Sequence, residues 1–186
     1  MSKYSVTLKQ LRNMHACYEG YNELVANISG EPLVTEHRYA TYDTDQPISL
    51  IQILDSNGLD DAIWALRCVE GADREIRLFA VWCARQVQHL VQDERSLNAL
   101  DVAERFANGL ATEEELEEAA NAADAAAYAA DAAAYAAADV GGVAAVVVAY
   151  AAARAAYKAN AVDIATYVVS REAQEVKFLE MFSNQA

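Results

Sequence analysis

Apolar positions recur along this chain at intervals of three and four, and the strict alternation of a half-buried strand is never sustained. Leu8 and Leu11 lie one turn apart behind Ser5 and Thr7, either of which suits a helix N-cap, so a short helix through Met14 is predicted. A second amphipathic helix is expected over 17–28, carrying Tyr18, Tyr21, Leu24, Val25 and Ile28, with Ser29–Gly30 as its stop. Residues 31–47 read as loops around one short helix or strand near 34–42, bracketed by Pro32 and Pro47.

From Ile48 the periodicity sharpens. SLIQILDSNG predicts a helix with Leu50, Ile51 and Leu54 inward and Asn57–Gly58 as its C-cap. LDDAIWALRCV follows, with Asp60 or Asp61 at its start and Ile63, Trp64, Leu66 and Val69 as packing residues, until Gly71 breaks the chain. ADREIRLFAVWCARQVQHLV places Ile76, Phe79, Ala80, Cys83 and Val87 on one face of a longer helix. SLNALDVAERFANG puts Leu97, Leu100, Val102, Ala103 and Phe106 inward and stops at Asn108–Gly109. Thr112 and Glu115 then form a capping box, and the acidic cluster 113–118 sits where a helix N-terminus favours negative charge. The core is expected to include Trp64, Leu66, Ile76, Phe79 and Trp82.

Between 119 and 161, 25 of 43 residues are alanine, so the exceptions define the pattern. Asp124 and Asp131 stand seven apart, as do Tyr128 and Tyr135 and, beyond Gly141–Gly142, Tyr150 and Tyr157. Seven residues are nearly two turns, which lines up Glu117, Asn121, Asp124, Tyr128, Asp131, Tyr135 and Asp139 on one helical face. Alanine has the highest helix propensity and lets a neighbouring helix approach closely. The halves on either side of the glycines mirror each other: an antiparallel hairpin folded there opposes Asp131 to Arg154, Tyr128 to Tyr157 and Tyr135 to Tyr150. The competing form is one helix continuing through the glycines, at a cost of about 2 kcal/mol relative to alanine. The hairpin is favoured, since the same glycines are natural C-terminal caps. A final helix is expected from Val143 to about Phe182, with Tyr150, Tyr157, Ile164, Val168 and Phe178 packing. The fold class is therefore all-α: a helical bundle ending in an alanine-rich antiparallel hairpin. Three parts are expected: a small N-terminal helical module (1–47), a central helical core (48–111) and the hairpin packed on that core (112–186).

Charge narrows the function. The net charge is −14, with acidic residues in excess both before and after residue 111, which disfavours nucleic acids and anionic membranes and attracts basic partners. Many acidic proteins have such a surface for solubility alone. Cys17, Cys68 and Cys83 are odd in number and far apart, the pattern of reduced thiols in a cytosolic protein. The start, MSKYSVTLKQ, has no apolar signal core, and the Ala/Val run at 140–153 is too short to span a bilayer.

Candidate chemistry is sparse. His15, His37 and His89 fall in separate elements without metal-ligand spacing, so neither a metal nor a cofactor is expected. His15 and Cys17 are two apart and diverge on a helix, which disfavours a nucleophile pair unless a turn intervenes. DSNGLDD at 55–61 has the composition of a calcium loop but not its register, and a helix stop followed by a helix start explains it. Asp43 and Asp45 are a pair without a positioned partner. No glycine-rich phosphate loop or nucleophile-elbow motif occurs, so no catalytic residue is assigned and the chain is not expected to be an enzyme. Arg67, Arg74, Arg77 and Arg85 form a group that either pairs with the excess carboxylates or holds an anionic ligand. Glu117, Asp124, Tyr128, Asp131 and Tyr135 either make an internal helix–helix contact or face another protein.

The block from ISLIQILDSNGLDDAIWALRCVEGADREIRLFAVWCARQVQHL through ALDVAERFANGLATEEELEEA to the alanine-rich tail resembles an alanine-rich immunity-protein family of phages and bacteria. That family has an LDDAIWALR-like helix and an EIRLFAVWCA-like helix before an ERxANG–T–EEL segment. LRNMHACYEGYNELVANI is similar to an LRxxxACxEG module near the start of many small phage proteins. The tail departs from the family pattern, with tyrosine in place of tryptophan and little arginine. The resemblance implies a phage-associated accessory protein in the host cytosol that acts by stoichiometric binding, as an immunity-type or counter-defence inhibitor, and the acidic surface suggests a basic target. It supplies no catalytic residue. The alternatives are a nucleotide-signal sponge using the arginine group, and an acidic DNA mimic. Self-association through the alanine-rich helices is a further expectation.

Overall fold

The computed structural model describes residues 3–42, 44–86, 88–90, 93–137 and 171–183, with the backbone alone for residue 90 and residues 130–137. It is all-α: among these residues there are eight α-helices and one two-stranded sheet of two residues per strand. Cα proximity divides the chain into two compact units, the first comprising Met1–Gly71 with Phe178–Ala186 and the second Ala72–Lys177. Within the first unit the sheet pairs residues on either side of position 47, and within the second the helices on either side of residue 111 share one core.

In the first unit, β1 (Ser5–Val6) pairs antiparallel with β2 (Ile48–Ser49), Val6 opposite Ile48, and each strand feeds a capped helix. After β1, the Thr7 hydroxyl accepts from the Gln10 backbone N–H while the Thr7 N–H donates to Gln10 Oε1 at 2.7 Å, starting α1 (Leu8–Asn13). Ser49 and Gln52 repeat this reciprocal cap at the start of α3 (Leu50–Asn57). The strand signal is missed in sequence because two residues carry no alternation to read. Between these lies α2 (Tyr18–Ser29), begun by Cys17 and ended by Gly30 in the left-handed conformation. Gly58, at φ 84°, ends α3 and starts α4 (Leu59–Ala65), which tightens into a 3₁₀ turn over Leu66–Cys68.

Helical spacing sets the core of this unit: Leu8, Leu11, Tyr21, Leu24, Leu50, Ile53, Ile63 and Leu66 are all at most 4 % exposed. Ile53 takes the buried position expected of Ile51, which is only half-buried, and Trp64 is half-buried as well. Phe178 and Phe182, from the end of the last helix, also belong to this core, with the Phe182 ring edge-on to Tyr4 at 5.2 Å. Residues 31–47 contain neither helix nor strand among the described residues. They are held instead by Asn22, whose Nδ2 donates to the Val34 and Arg38 carbonyls and whose Oδ1 accepts from the Ala40 N–H, all within 2.9 Å. Tyr39 completes the attachment, donating to the Ala16 carbonyl and stacking edge-on against Tyr18 and Tyr21.

The second unit contains α5 (Asp73–Gln86), α6 (Glu94–Ala107), α7 (Glu113–Ala137) and the first part of α8 (Arg171–Phe182). The helix expected to run on to residue 91 stops at Gln86 and is followed by a 3₁₀ turn over Gln88–Leu90. α6 begins earlier than expected because Asp93 caps it, accepting from the Arg95 N–H. Its core joins Ala80, Val81 and Ala84 of α5, Ala99, Leu100, Val102 and Ala103 of α6, and Leu116, Ala119, Ala120 and Ala123 of α7. Ile76 and Phe79 are buried, whereas Trp82 is only half-buried, with the Lys177 ammonium 5.9 Å from its ring centre. The mirrored hairpin, including Asp131–Arg154, Tyr128–Tyr157 and Tyr135–Tyr150, and the final helix before residue 171 lie outside the described residues.

Candidate functional site

The first candidate is the outer side of α7. Its start is fixed by the reciprocal cap read from the sequence: the Thr112 N–H donates to Glu115 Oε2 at 2.7 Å, and the Glu115 N–H donates to the Thr112 hydroxyl. Backbone N–H donors at this helix start lower the Glu114 and Glu115 carboxyls below the usual range, with smaller help from Thr112 and from Arg105, respectively. Those two acids are therefore part of the cap. One turn further on, Leu116, Ala119, Ala120, Ala123, Ala126 and Ala127 are buried. Glu117 and Asn121 are exposed, Asp124 is half-buried and Tyr128 is 66 % exposed. Glu117 and Asp124 make no hydrogen bond or ion pair among the described residues. Of the five residues singled out in the sequence, the structure thus brings Glu117, Asp124 and Tyr128 along one side of α7. The side chains of Asp131 and Tyr135 lie outside the described residues.

The four arginines occur in separate settings. Arg67, in the first unit, donates to the Trp64 carbonyl at 3.0 Å and stands 4.7 Å from the Trp64 ring centre. In the second unit, Arg74 donates to Asn108 Oδ1 at 2.7 Å. Arg77 is 8 % exposed, and its guanidinium lies over the Phe106 ring at 4.9 Å. Burial lowers its pKa, opposed by the nearby Asp73 carboxylate. Arg85 bridges α5 to α6 by donating to Glu104 Oε2 at 2.6 Å and Asp101 Oδ1 at 2.8 Å; these acceptors outweigh the effect of burial and raise its pKa. An anion bound by these side chains must compete with partners already in place.

A second candidate lies in the first unit, at residues that the sequence offers as helix ends, as a disfavoured His15–Cys17 pair and as the DSNGLDD segment. His15 adopts φ 59°, a left-handed turn after α1 that brings Cys17 to the N-cap of α2. There, Cys17 Sγ accepts from the Gly20 N–H at 3.3 Å. Asn57, at the end of α3, donates from Nδ2 both to the Gly20 carbonyl at 2.7 Å and to Asp61 Oδ2 at 2.8 Å. A Cβ on Gly20 would overlap Asp61 Oδ2 and lie 3.3 Å from Cys17 Sγ, so glycine at position 20 lets these elements close together. Beside them is a pocket of about 140 Å³ lined by Leu11, Tyr21, Leu24, Ile53, Trp64 and Ala65 together with Cys17, Asn57 and Asp61. Tyr21 Oη and Asn57 Oδ1, atoms of two of these residues, are buried without a hydrogen-bond partner among the described residues. Burial raises the Tyr21 pKa, against the lowering effect of Arg12, so the phenol remains protonated and able to donate. The DSNGLDD segment is thus the helix stop and start read from the sequence and also a wall of this pocket. The missed signal was the pairing of ACYEG with SNGLDD, in which two helix ends meet through one glycine.

Among the described residues, no group of three or more histidine, cysteine or acidic side chains is placed to hold a metal, and no helix is long and apolar enough to cross a membrane. The chain matches no family model, no curated protein and no solved structure.

Proposed function

We propose that this protein acts by stoichiometric binding, as an immunity-type or counter-defence inhibitor working in a host cytosol, and that the outer side of α7 meets a basic protein partner. The observation that supports this reading most directly is the position of Tyr128, 66 % exposed on the same helix as Glu117 and Asp124, which make no ion pair among the described residues. A largely exposed ring on the same side as carboxylates combines an apolar anchor with charges that steer a cationic surface. The overall charge of −14 extends that attraction beyond the contact itself. Alanines turned toward α6 explain why this side is outward: they give the close approach to the helix neighbour and leave the larger residues facing away. The sequence resemblance to immunity proteins favours inhibition over catalysis. The arginine-based sponge draws less support, since Arg74 and Arg85 already have polar partners.

The test is to isolate the partner from host lysate and measure its association with purified wild-type protein and with a Glu117→Gln, Asp124→Asn, Asp131→Asn variant. A basic partner should associate about tenfold more slowly with the variant at low salt, and the salt dependence should flatten. An unchanged association rate with a partner that binds the wild type would overturn the α7 assignment. Competition by duplex DNA for the same partner would instead identify a DNA mimic, and a nucleotide released only on denaturation would identify a sponge.

A further inference from the structure

We infer that another hollow of the first unit, between the end of α2, the 42–48 segment and α3, is a binding site for a neutral sugar. It lies wholly within that unit and does not depend on the acidic side of α7. Its volume of about 380 Å³ falls inside the roughly 300–1,000 Å³ of small-molecule sites. Asn27 from α2, Tyr42 and Gln46 from the connecting segment, and Gln52 and Asp55 from α3 line it. Polar atoms make up the larger share of its accessible lining, and Asn27, Gln46, Gln52 and Asp55 are exposed residues, so a ligand can reach these groups.

The chemistry of the lining selects the ligand. Three amides and a phenol each donate and accept, and the Asp55 carboxylate accepts through two oxygens. A sugar carries hydroxyls on adjacent carbons, each a donor and an acceptor, so neighbouring hydroxyls can donate to one carboxylate while accepting from amides. No lysine or arginine is among the described residues that line the hollow, and Asp55 repels negative charge, which disfavours a phosphate or a carboxylate. A single exposed carboxylate among amides also gives little hold on a polycation. Ile28, half-buried, and Ile48, 4 % exposed, add apolar surface for the C–H face of a sugar ring. Two parts of the wall are set before a ligand arrives: the Ser49 N–H donates to Gln52 Oε1 at 2.9 Å, and the Gln46 N–H donates to the Thr44 hydroxyl at 3.1 Å. In the free protein these side chains are hydrated, and a sugar replaces that water hydroxyl for hydroxyl, so the affinity is modest.

Glucose, galactose, mannose and N-acetylglucosamine are the probes, with inorganic phosphate and spermidine for comparison, each added to the isotope-labelled full chain while its backbone amides are followed by NMR. At least one of the sugars should shift the amides of Asn27, Ile28, Thr44, Gln46, Ile48, Gln52 and Asp55 saturably, with a dissociation constant of about 1–10 mM, and leave those of α5 and α6 in place. Phosphate should shift none of this set, and spermidine should move amides over the acidic surface without preference for it. Asp55→Ala and Asn27→Ala alter exposed side chains on different helices, so each variant should unfold at the same urea concentration as the wild type. Each should nevertheless weaken the bound sugar at least about tenfold. The inference is overturned if none of the sugars gives saturable shifts at about 100 mM, well above the expected constant. It is equally overturned if phosphate or spermidine binds at this set more tightly than every sugar, or if either variant binds the sugar like the wild type.

Discussion

The two units use opposite means of holding helices together. In the first, large side chains meet around short helices, and buried polar groups fasten what the helices do not cover: Tyr21, Leu50, Ile53 and Phe178 in the core, and Asn22 at the loop. In the second, α6 meets α7 largely through alanines, Ala99 and Ala103 on one side and Ala119, Ala120 and Ala123 on the other, all at most 5 % exposed. Large residues of varied shape leave a pocket of about 140 Å³ between α2, α3 and α4. Alanines let α6 and α7 approach closely, and among the described residues the larger polar and aromatic side chains of α7, Glu117, Asn121 and Tyr128, are exposed.

Removing the polar fastening should have the largest effect. Asn22→Ala leaves two carbonyls and one N–H of the 34–40 segment without their partner in a place that is 2 % exposed. At about 1 kcal/mol or more for each lost bond, the expected destabilisation is about 3 kcal/mol. Urea unfolding should show the loss, and hydrogen exchange should show the Ala40 amide deprotected before those of α6. An effect below about 0.5 kcal/mol would mean that the loop is held chiefly by Tyr39.

In the second unit, the corresponding break is to add volume. Ala123 is fully buried against α6, and Ala123→Leu has no space for three more carbons, so it should cost about 1–3 kcal/mol through strain or separation of the helices. Ala125, two residues on and exposed, is the control, and Ala125→Leu should change stability by less than about 0.5 kcal/mol. Equal effects at both positions would show that the alanine contact does not set the helix separation.

The sequence revealed the helices wherever caps and periodicity agreed. Thr7 of the two N-cap candidates, Gly30, and Thr112 with Glu115 mark ends that the structure reproduces, because capping is a local interaction written within four residues. It did not reveal what depends on contacts distant in the chain. Asn22 reads as an ordinary helix residue until its side chain is seen to reach Val34, Arg38 and Ala40. Trp64 and Trp82 are expected in the core, yet each is half-buried with a cation against its ring. Of the candidate sites, the side of α7 was legible because seven-residue spacing is local. The pocket was not, because Gly20, Asn57 and Asp61 come together only by tertiary packing.

The smallest expected effect comes from a feature found in both units, a buried thiol. Burial pushes Cys68, in the first unit, up to about 11 and Cys83, in the second, up to about 12 from an ordinary value of 9.0. Each thiol is therefore neutral in the folded chain at a pH where it has ionised in the unfolded one. The resulting stability is fully present below pH 9, and it is lost as pH rises through 9 toward the folded values. At pH 10 the loss should be about 1 kcal/mol per thiol, since only the unfolded chain gains by releasing the proton. Comparing urea unfolding at pH 8 and pH 10 for the wild type with Cys68→Ala and Cys83→Ala isolates each thiol from the tyrosines and lysines that titrate nearby. Each variant should recover about 1 kcal/mol of the alkaline loss. Raising the pH further should separate the two, because Cys68 ionises in place near pH 11 and the decline from that thiol then levels, while the decline from Cys83 continues to about pH 12. A variant whose alkaline loss equals that of the wild type would show that its thiol is reached by water in the folded unit, and that the core around it is looser than the alanine or large-residue packing described for it.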